Sequence, residues 1–222
     1  MAQVIGVVGG SGGVGASTFA AALAAQAARS VLIDLDVSSG GIDVLLGIES
    51  VPGARWSGLR VAGGRLDPQV LLDGLPRWRS CAVLAADVST LDPDAVLQVL
   101  DAAAAAASVP AVVVDLPRAH SPERAAAMLR CDLVVVLARS DVAGLVAAHA
   151  VVTALPDVPV GVVARRGAVT PAEAAALVAA PLLGSLPPLG SPMPELDACR
   201  LPRAVSRIAA GVLDGLRLPS SA

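Results

Sequence analysis

Residues 9–18 read GGSGGVGAST, between an apolar run, QVIGVV at 3–8, and an Ala-rich stretch that starts at about Ser17. Few segments constrain a chain more. Successive glycines let several backbone N–H groups converge on one point, and a helix starting there adds the positive end of its dipole. Strand, glycine loop and helix in that order make a cradle for phosphate. Gly10, four residues, Gly15, position 16 and Ser17 fit the G-x-x-x-x-G-K-[ST] spacing everywhere except position 16, where Ala16 replaces the lysine.

The same residues spell G-x-G-x-x-G through Gly10, Gly12 and Gly15. Asp34 lies 19 residues after Gly15, at the end of the next apolar run, where a dinucleotide site puts its ribose-binding acid. An NAD(P)-binding oxidoreductase is therefore an alternative, and a glycine turn without a ligand is another. Two features favour a triphosphate. Ser17 and Thr18 place hydroxyls where Mg²⁺ and phosphate need them, and a second apolar run, VVVD at 112–115, also ends in an acid.

Around this loop, short Val/Leu/Ile runs alternate with longer Ala-rich stretches. The runs at 3–8, 30–34, 81–85, 110–115, 132–138 and 158–163, with a weaker one at 182–186, are continuous, as in parallel strands buried on both faces. Helices are expected over 17–28, 92–107, 121–130, 141–155, 171–179 and 203–216. Asp92-Pro93, Ser121-Pro122-Glu123 and Thr170-Pro171 with Glu173 supply caps and first-turn prolines. The pattern predicts an α/β fold: a doubly wound, mostly parallel sheet of about seven strands with helices on both faces, of the P-loop NTPase type. One domain is expected over 1–222. The stretch 48–66, rich in Gly and Arg, reads as a surface excursion. Trp56 and Trp78 flank this irregular region and either cover the sheet edge or anchor a partner.

Composition narrows the chemistry. All sixteen basic side chains are arginines, so no lysine-dependent mechanism is open. Tyr is absent and Phe19, Trp56 and Trp78 are the only aromatics, which argues against a base-stacking platform. The net charge of −3 gives no global pull toward DNA or anionic lipid. Cys81, Cys131 and Cys199 lack C-x-x-C spacing, so neither a disulfide framework nor a zinc site is suggested, and buried thiols in a reducing cytosol are expected. Glycines break the uncharged first 28 residues and prolines break 174–194, so a soluble, cytoplasmic protein is expected.

Taken together, these motifs resemble the MinD/ParA ATPases. GGSGGVGAST is similar to their deviant Walker A loop, xKGGxGK[ST]T. VLIDLDVSSGGIDVLLG (31–47) resembles the segment after their second strand, and VVVDLP (112–117) their Walker B strand. VGVVARR (160–166) and LLGSLPPL (182–189) resemble the late strands that frame the adenine. Within the superfamily, GRLDPQVLLDGLPRW (64–78) and VVVDLPR resemble the CpaE/TadZ group and its septum-site-determining-like relatives. Those are localisation factors for Tad/Flp pilus secretion or division, with degenerate nucleotide sites. Many carry a receiver-like domain ahead of the ATPase domain. This chain starts directly on its first strand, so that domain is expected to be absent or removed.

The resemblance implies ATP or ADP with Mg²⁺ as cofactor. Gly10, Ser11, Gly12, Gly13, Val14, Gly15, Ala16, Ser17 and Thr18 would form the nucleotide loop, with Ser17 ligating Mg²⁺ and Thr18 bonding the α-phosphate. Asp36 would orient the attacking water beside the metal, Asp115 would hold Mg²⁺ through water, and Asp34 would support the loop. A homodimer is implied, as are a secretion, pilus or division partner and recruitment to the pole or septum. A DNA-binding patch of Arg165, Arg166, Arg200, Arg203 and Arg207 is disfavoured by the net charge. Membrane contact is at most peripheral, because Val205, Ile208, Val212 and Leu216 read better as a core-packing face than as a lipid-binding one.

Two departures outweigh the matches. Ser11 stands in place of the lysine that reaches across the dimer, and Ala16 in place of the lysine on the β- and γ-phosphates. The adenine-reading asparagine is also missing around 163–166. Losing one charge-assisted hydrogen bond weakens binding by about 10- to 100-fold. Losing a cation at the transferring phosphoryl group costs about 10³–10⁵ in rate. The expectation is a pseudo-ATPase or very slow ATPase that serves as a positioning scaffold. An active switch that dimerises on ATP is the alternative.

Overall fold

The computed structural model describes residues 1–27, 29–59, 65–155, 157–188 and 201–217. In chain order the elements are β1 (Gln3–Gly9), α1 (Ala16–Gln26), β2 (Ser30–Asp34), α2 (Ile42–Leu46), α3 (Pro68–Gly74), β3 (Arg77–Trp78), β4 (Cys81–Leu84), α4 (Pro93–Ala105), β5 (Ala111–Asp115), α5 (Pro122–Met128), β6 (Leu133–Arg139), α6 (Val142–Thr153), β7 (Val160–Arg165), α7 (Pro171–Val178), β8 (Leu182–Leu186) and α8 (Arg203–Arg217). The spatial strand order is β3-β4-β2-β5-β1-β6-β7-β8. All pairings are parallel except that of β3, a two-residue antiparallel edge on β4. The seven expected strands are thus present, and β3 is the addition.

Alternation along the strands divides the core in two. Ile5, Val7, Leu32, Val113, Val135 and Leu137 face α1, α2 and α8. Val4, Val8, Ile33, Val112, Val114, Val134 and Val136 face α3 to α7. With both faces covered, every strand position is selected for apolar character, and this explains the continuous runs in the sequence. The expected helix starts carry their caps. Asp92 accepts from the Asp94 N–H and Ser121 from that of Arg124, while Thr170 and Glu173 form a reciprocal capping box.

Two helices were not anticipated. α3 starts on Asp67, whose carboxylate accepts from the N–H groups of Gln69 and Val70, followed by Pro68. That is the same signal as Asp92-Pro93, set here in a Gly- and Arg-rich surrounding. The stretch 48–66 is only in part a surface excursion, because Ile48 and Trp56 point inward; residues 60–64 lie outside the described residues. Trp56 and Trp78 are both buried, one on each side of the sheet. The sheet-cover reading therefore holds over the exposed-anchor one.

The last helix packs on α1 and β8, burying Val205, Ala209, Val212 and Leu213. Its apolar face is thus part of the core. Among the described residues, no helix is long and apolar enough to cross a membrane.

Candidate functional site

Three strands that are adjacent in the sheet end at one place. β1 leads into the glycine loop, β2 ends in Asp34 and β5 ends in Asp115, with Asp34 and Asp115 directly opposite in the register. The loop leaves β1 at the switch point of the sheet, where β5 lies on one side and β6 on the other. Its start is fastened by the Gly10 N–H, which donates to the Leu137 carbonyl at 2.8 Å.

The loop geometry depends on its glycines in two ways. Gly13 and Gly15 have φ of 69° and 93°, a left-handed backbone that L side chains rarely adopt. A Cβ on Gly10 would lie 2.7 Å from the backbone of Ala148 in α6, so the loop starts pressed against that helix. Gly12 and Gly13 have nothing within 4 Å of such an atom and face open space.

In front of the loop lies a cleft of about 680 Å³. Ser11, Gly12, Gly13, Val14, Gly15, Ala16, Ser17 and Thr18 line it on the loop side, with Asp36 and Asp115 at the strand ends. The structure therefore brings the sequence-derived site residues together around this cleft except Gly10, which packs on Ala148, and Asp34, which lies behind it. Residues 38–42, Val44, Leu45, Leu116, Arg118 and Ala119 complete the walls.

Asp34 is fully buried and stands behind the cleft. Its carboxylate accepts from the N–H groups of Asp36 (2.9 Å), Ile42 (3.0 Å) and Ala86 (3.4 Å), which fixes the segment leading to Asp36. Asp36 accepts in turn from the N–H and hydroxyl of Ser38 at 3.2 and 2.6 Å. Asp115 is only 2% exposed, and its Oδ2 has no hydrogen-bond partner among the described residues. The buried Ser11 hydroxyl is unpartnered in the same sense.

Burial pushes the Asp115 carboxyl up to about 8. The charge of Asp34 adds to the rise, the Ser17 hydroxyl beside it opposes it, and Asp36 contributes a smaller push upward. Burial likewise raises Asp34 to about 6, against the three backbone N–H groups that favour its ionised form. Both carboxyls therefore hold protons in the folded chain that the unfolded chain releases. The unfolded value is about 3.8, so stability is full below pH 4 as far as these groups are concerned and declines as pH rises. The decline is about 1.4 kcal/mol per pH unit per group. Both groups contribute up to about pH 6, and Asp115 alone up to about pH 8. Melting temperatures measured between pH 5 and 8 are expected to fall, and Asp115→Asn to flatten the upper half of that curve.

The arrangement fits a divalent cation held jointly with phosphate. An orphaned, buried carboxylate oxygen, a serine hydroxyl beside it and Asp36 in the same cleft are hard oxygen donors suited to Mg²⁺. Among the described residues, no cluster of three or more His, Cys, Asp or Glu could hold a metal unaided. Phosphate oxygens and water would have to complete the shell.

Three neighbours had no role at this site in the reading of the sequence. Arg165, at the end of β7, donates from Nε to the Val14 carbonyl (2.6 Å) and from Nη1 to the Pro187 carbonyl (3.1 Å). Its Nη2 lies 2.6 Å from where a Gly15 Cβ would stand, so Arg165 braces the loop from behind. It is half-buried, with two of its nitrogens engaged by these carbonyls; Arg200 lies outside the described residues. The Trp56 Nε1–H donates to the Asp34 carbonyl at 2.8 Å. Arg118 lines the cleft directly after the Asp115 strand. In the sequence Arg118 appears as the R of VVVDLPR and Arg165 as the first R of VGVVARR, neither marked as a neighbour of the loop. His120 and His149 are exposed and lie outside the cleft. Burial pushes the Cys81 and Cys131 thiols up to about 12, which leaves them inert at neutral pH. Cys199 lies outside the described residues.

No protein-family model matches the chain. Two uncharacterized proteins of Mycobacterium tuberculosis are each 40% identical to it over 190 residues, covering 82% of this chain and 54% of theirs. The chain thus spans about half the length of the curated relatives it matches. Solved structures align over nearly all of it. A ParA family ATPase from Chlorobium tepidum matches with a TM-score of 0.72 at 16% identity, covering 98% of this chain and 95% of that one. MinD from the MinC:MinD cell division complex of Aquifex aeolicus gives 0.71 at 20%, covering 97% and 89%. The septum site-determining protein MinD of Pyrococcus horikoshii, complexed with Mg-ADP, gives 0.68 at 16%, covering 98% and 96%. The chain therefore has the fold of the MinD/ParA ATPases.

Proposed function

We propose that the protein is a MinD/ParA-like positioning or scaffold factor whose degenerate site binds Mg-ATP or Mg-ADP weakly and hydrolyses it little or not at all. One observation carries this reading. The cleft keeps hydroxyls and acids suited to a metal, Ser17, Asp36 and Asp115, while both lysine positions of the loop are neutral, Ser11 and Ala16. The convergent loop N–H groups and the start of α1 still favour an anion, which supports residual binding. A missing cation penalises the transition state more than the ground state, because charge moves during phosphoryl transfer.

In this reading, Gly12, Gly13 and Gly15 wrap the phosphates and Thr18 meets the α-phosphate. Ser17 and Asp115 hold Mg²⁺, which when bound neutralises phosphate charge, and Asp36 orients a water. Resemblance in 64–78 and 112–118 supports a place beside the CpaE/TadZ and septum-site-determining-like factors. The partner would then be pilus secretion or division machinery, at the pole or septum. The A. aeolicus MinD, solved with MinC, is a structural neighbour that works with a protein partner. A homodimer and a single-domain unit belong to the same proposal.

Retention of both acids favours a second reading, an active ATPase that dimerises on ATP. Titration calorimetry with Mg-ATP and a phosphate-release assay separate the two. Weak binding with almost no release is expected. Turnover at the rate of a lysine-bearing MinD, abolished by Asp36→Ala, would overturn the proposal.

A further inference from the structure

The cleft is lined by two acids, Asp36 and Asp115, and by a single cation among the described residues, Arg118. A polyphosphate entering it meets acidic side chains and a loop in which Ser11 and Ala16 supply no charge. Arg165 is also near the loop, but two of its nitrogens are committed to the Val14 and Pro187 carbonyls and it lies behind Gly15. Arg118 makes no such commitment. Its side chain is exposed and enters no ion pair among the described residues.

A second observation bears on the same residue. Arg124, near the start of α5, is 1% exposed, yet no acid pairs with it among the described residues. Its Nη1 donates to the Arg118 carbonyl at 2.6 Å, while its Nε and Nη2 have no partner among the described residues. Burial lowers its pKa. An uncompensated buried guanidinium is destabilising. Its one contact fixes the backbone of the residue that stands in the cleft wall.

We infer that Arg118 is the phosphate-contacting cation of this site, taking over from the β5–α5 loop the charge that the glycine loop lacks, and that Arg124 is its positioning residue. The inference rests on the nucleotide reading above and goes beyond it, because it moves the recognising charge from the glycine loop to the β5–α5 loop. A guanidinium suits the task, since its planar fork matches two phosphate oxygens at once.

Calorimetry with Mg-ATP, Mg-ADP and AMP on the full chain tests it. R118A is expected to weaken Mg-ATP by about 10-fold or more and AMP by less than twofold, with R118K in between. Arg118 is exposed, so folding is not at risk. Arg124→Met, which removes a buried charge but keeps the volume, is expected to lower the ATP-to-AMP affinity ratio in the same direction. A purely structural role would shift the melting temperature and leave that ratio alone, which would remove Arg124 from the assignment. Unchanged Mg-ATP binding by R118A, with clear binding by the wild type, overturns the inference and spares the nucleotide reading. A wild type that binds no Mg-ATP overturns both.

Discussion

Ala16→Lys is expected to raise the affinity for Mg-ATP by about 10- to 100-fold, the worth of one charge-assisted hydrogen bond. Position 16 is the first residue of α1 and lines the cleft. The backbone around it already has the required shape, with Gly13 and Gly15 in left-handed conformations and Arg165 holding the Val14 carbonyl. A lysine there adds charge to a formed cradle and pays no cost of rearranging it. Calorimetry on the wild type and the variant reads the effect directly. If Arg118 already meets the phosphates, the gain is smaller in the wild type than in an R118A background, because both cations would address the same charges. No gain in either background would mean that the loop does not receive phosphate.

Trp56→Ala is expected to destabilise the protein by about 3–5 kcal/mol, as large aromatic truncations in cores do. The side chain is 7% exposed and packs in the core on the side of α3 to α7. Its Nε1–H satisfies the carbonyl of Asp34, the residue whose carboxylate pins the segment running to Asp36. Trp56→Phe keeps most of the packing and loses only the hydrogen bond, for about 1 kcal/mol. Chemical denaturation of the three proteins, compared at constant m-value, separates packing from the polar contact. Equal small losses for both variants would show that Trp56 is peripheral.

Much of this was legible in the sequence, for identifiable reasons. A parallel sheet covered on both faces forces continuous apolar runs, and all seven were visible as such. Helices that begin on Asp-Pro or Ser-Pro announced themselves at Asp92 and Ser121. The same signal at Asp67-Pro68 was hidden by the glycines and arginines before it. The loop and the acids at 34, 36 and 115 were legible because each directly follows or ends an apolar run that reads as a strand. What was not legible is long-range. Arg165 reaches Val14 across 151 positions, and Trp56 reaches Asp34 across 22. No periodicity or spacing marks such contacts. Gly10 shows a second reason for a glycine in the pattern, the close approach of Ala148, which no spacing marks.

That contact between Gly10 and Ala148 gives the loop a one-sided freedom. Toward α6 there is no clearance even for a methyl group, and the Gly10 N–H is tethered to β6. Toward the cleft, Gly12 and Gly13 meet nothing. The loop is therefore backed by helix at its first glycine and bare at the two that line the cleft. Any side chain larger than glycine at position 10 would have to displace α6, so Gly10→Ala is expected to shift the seat of the whole loop.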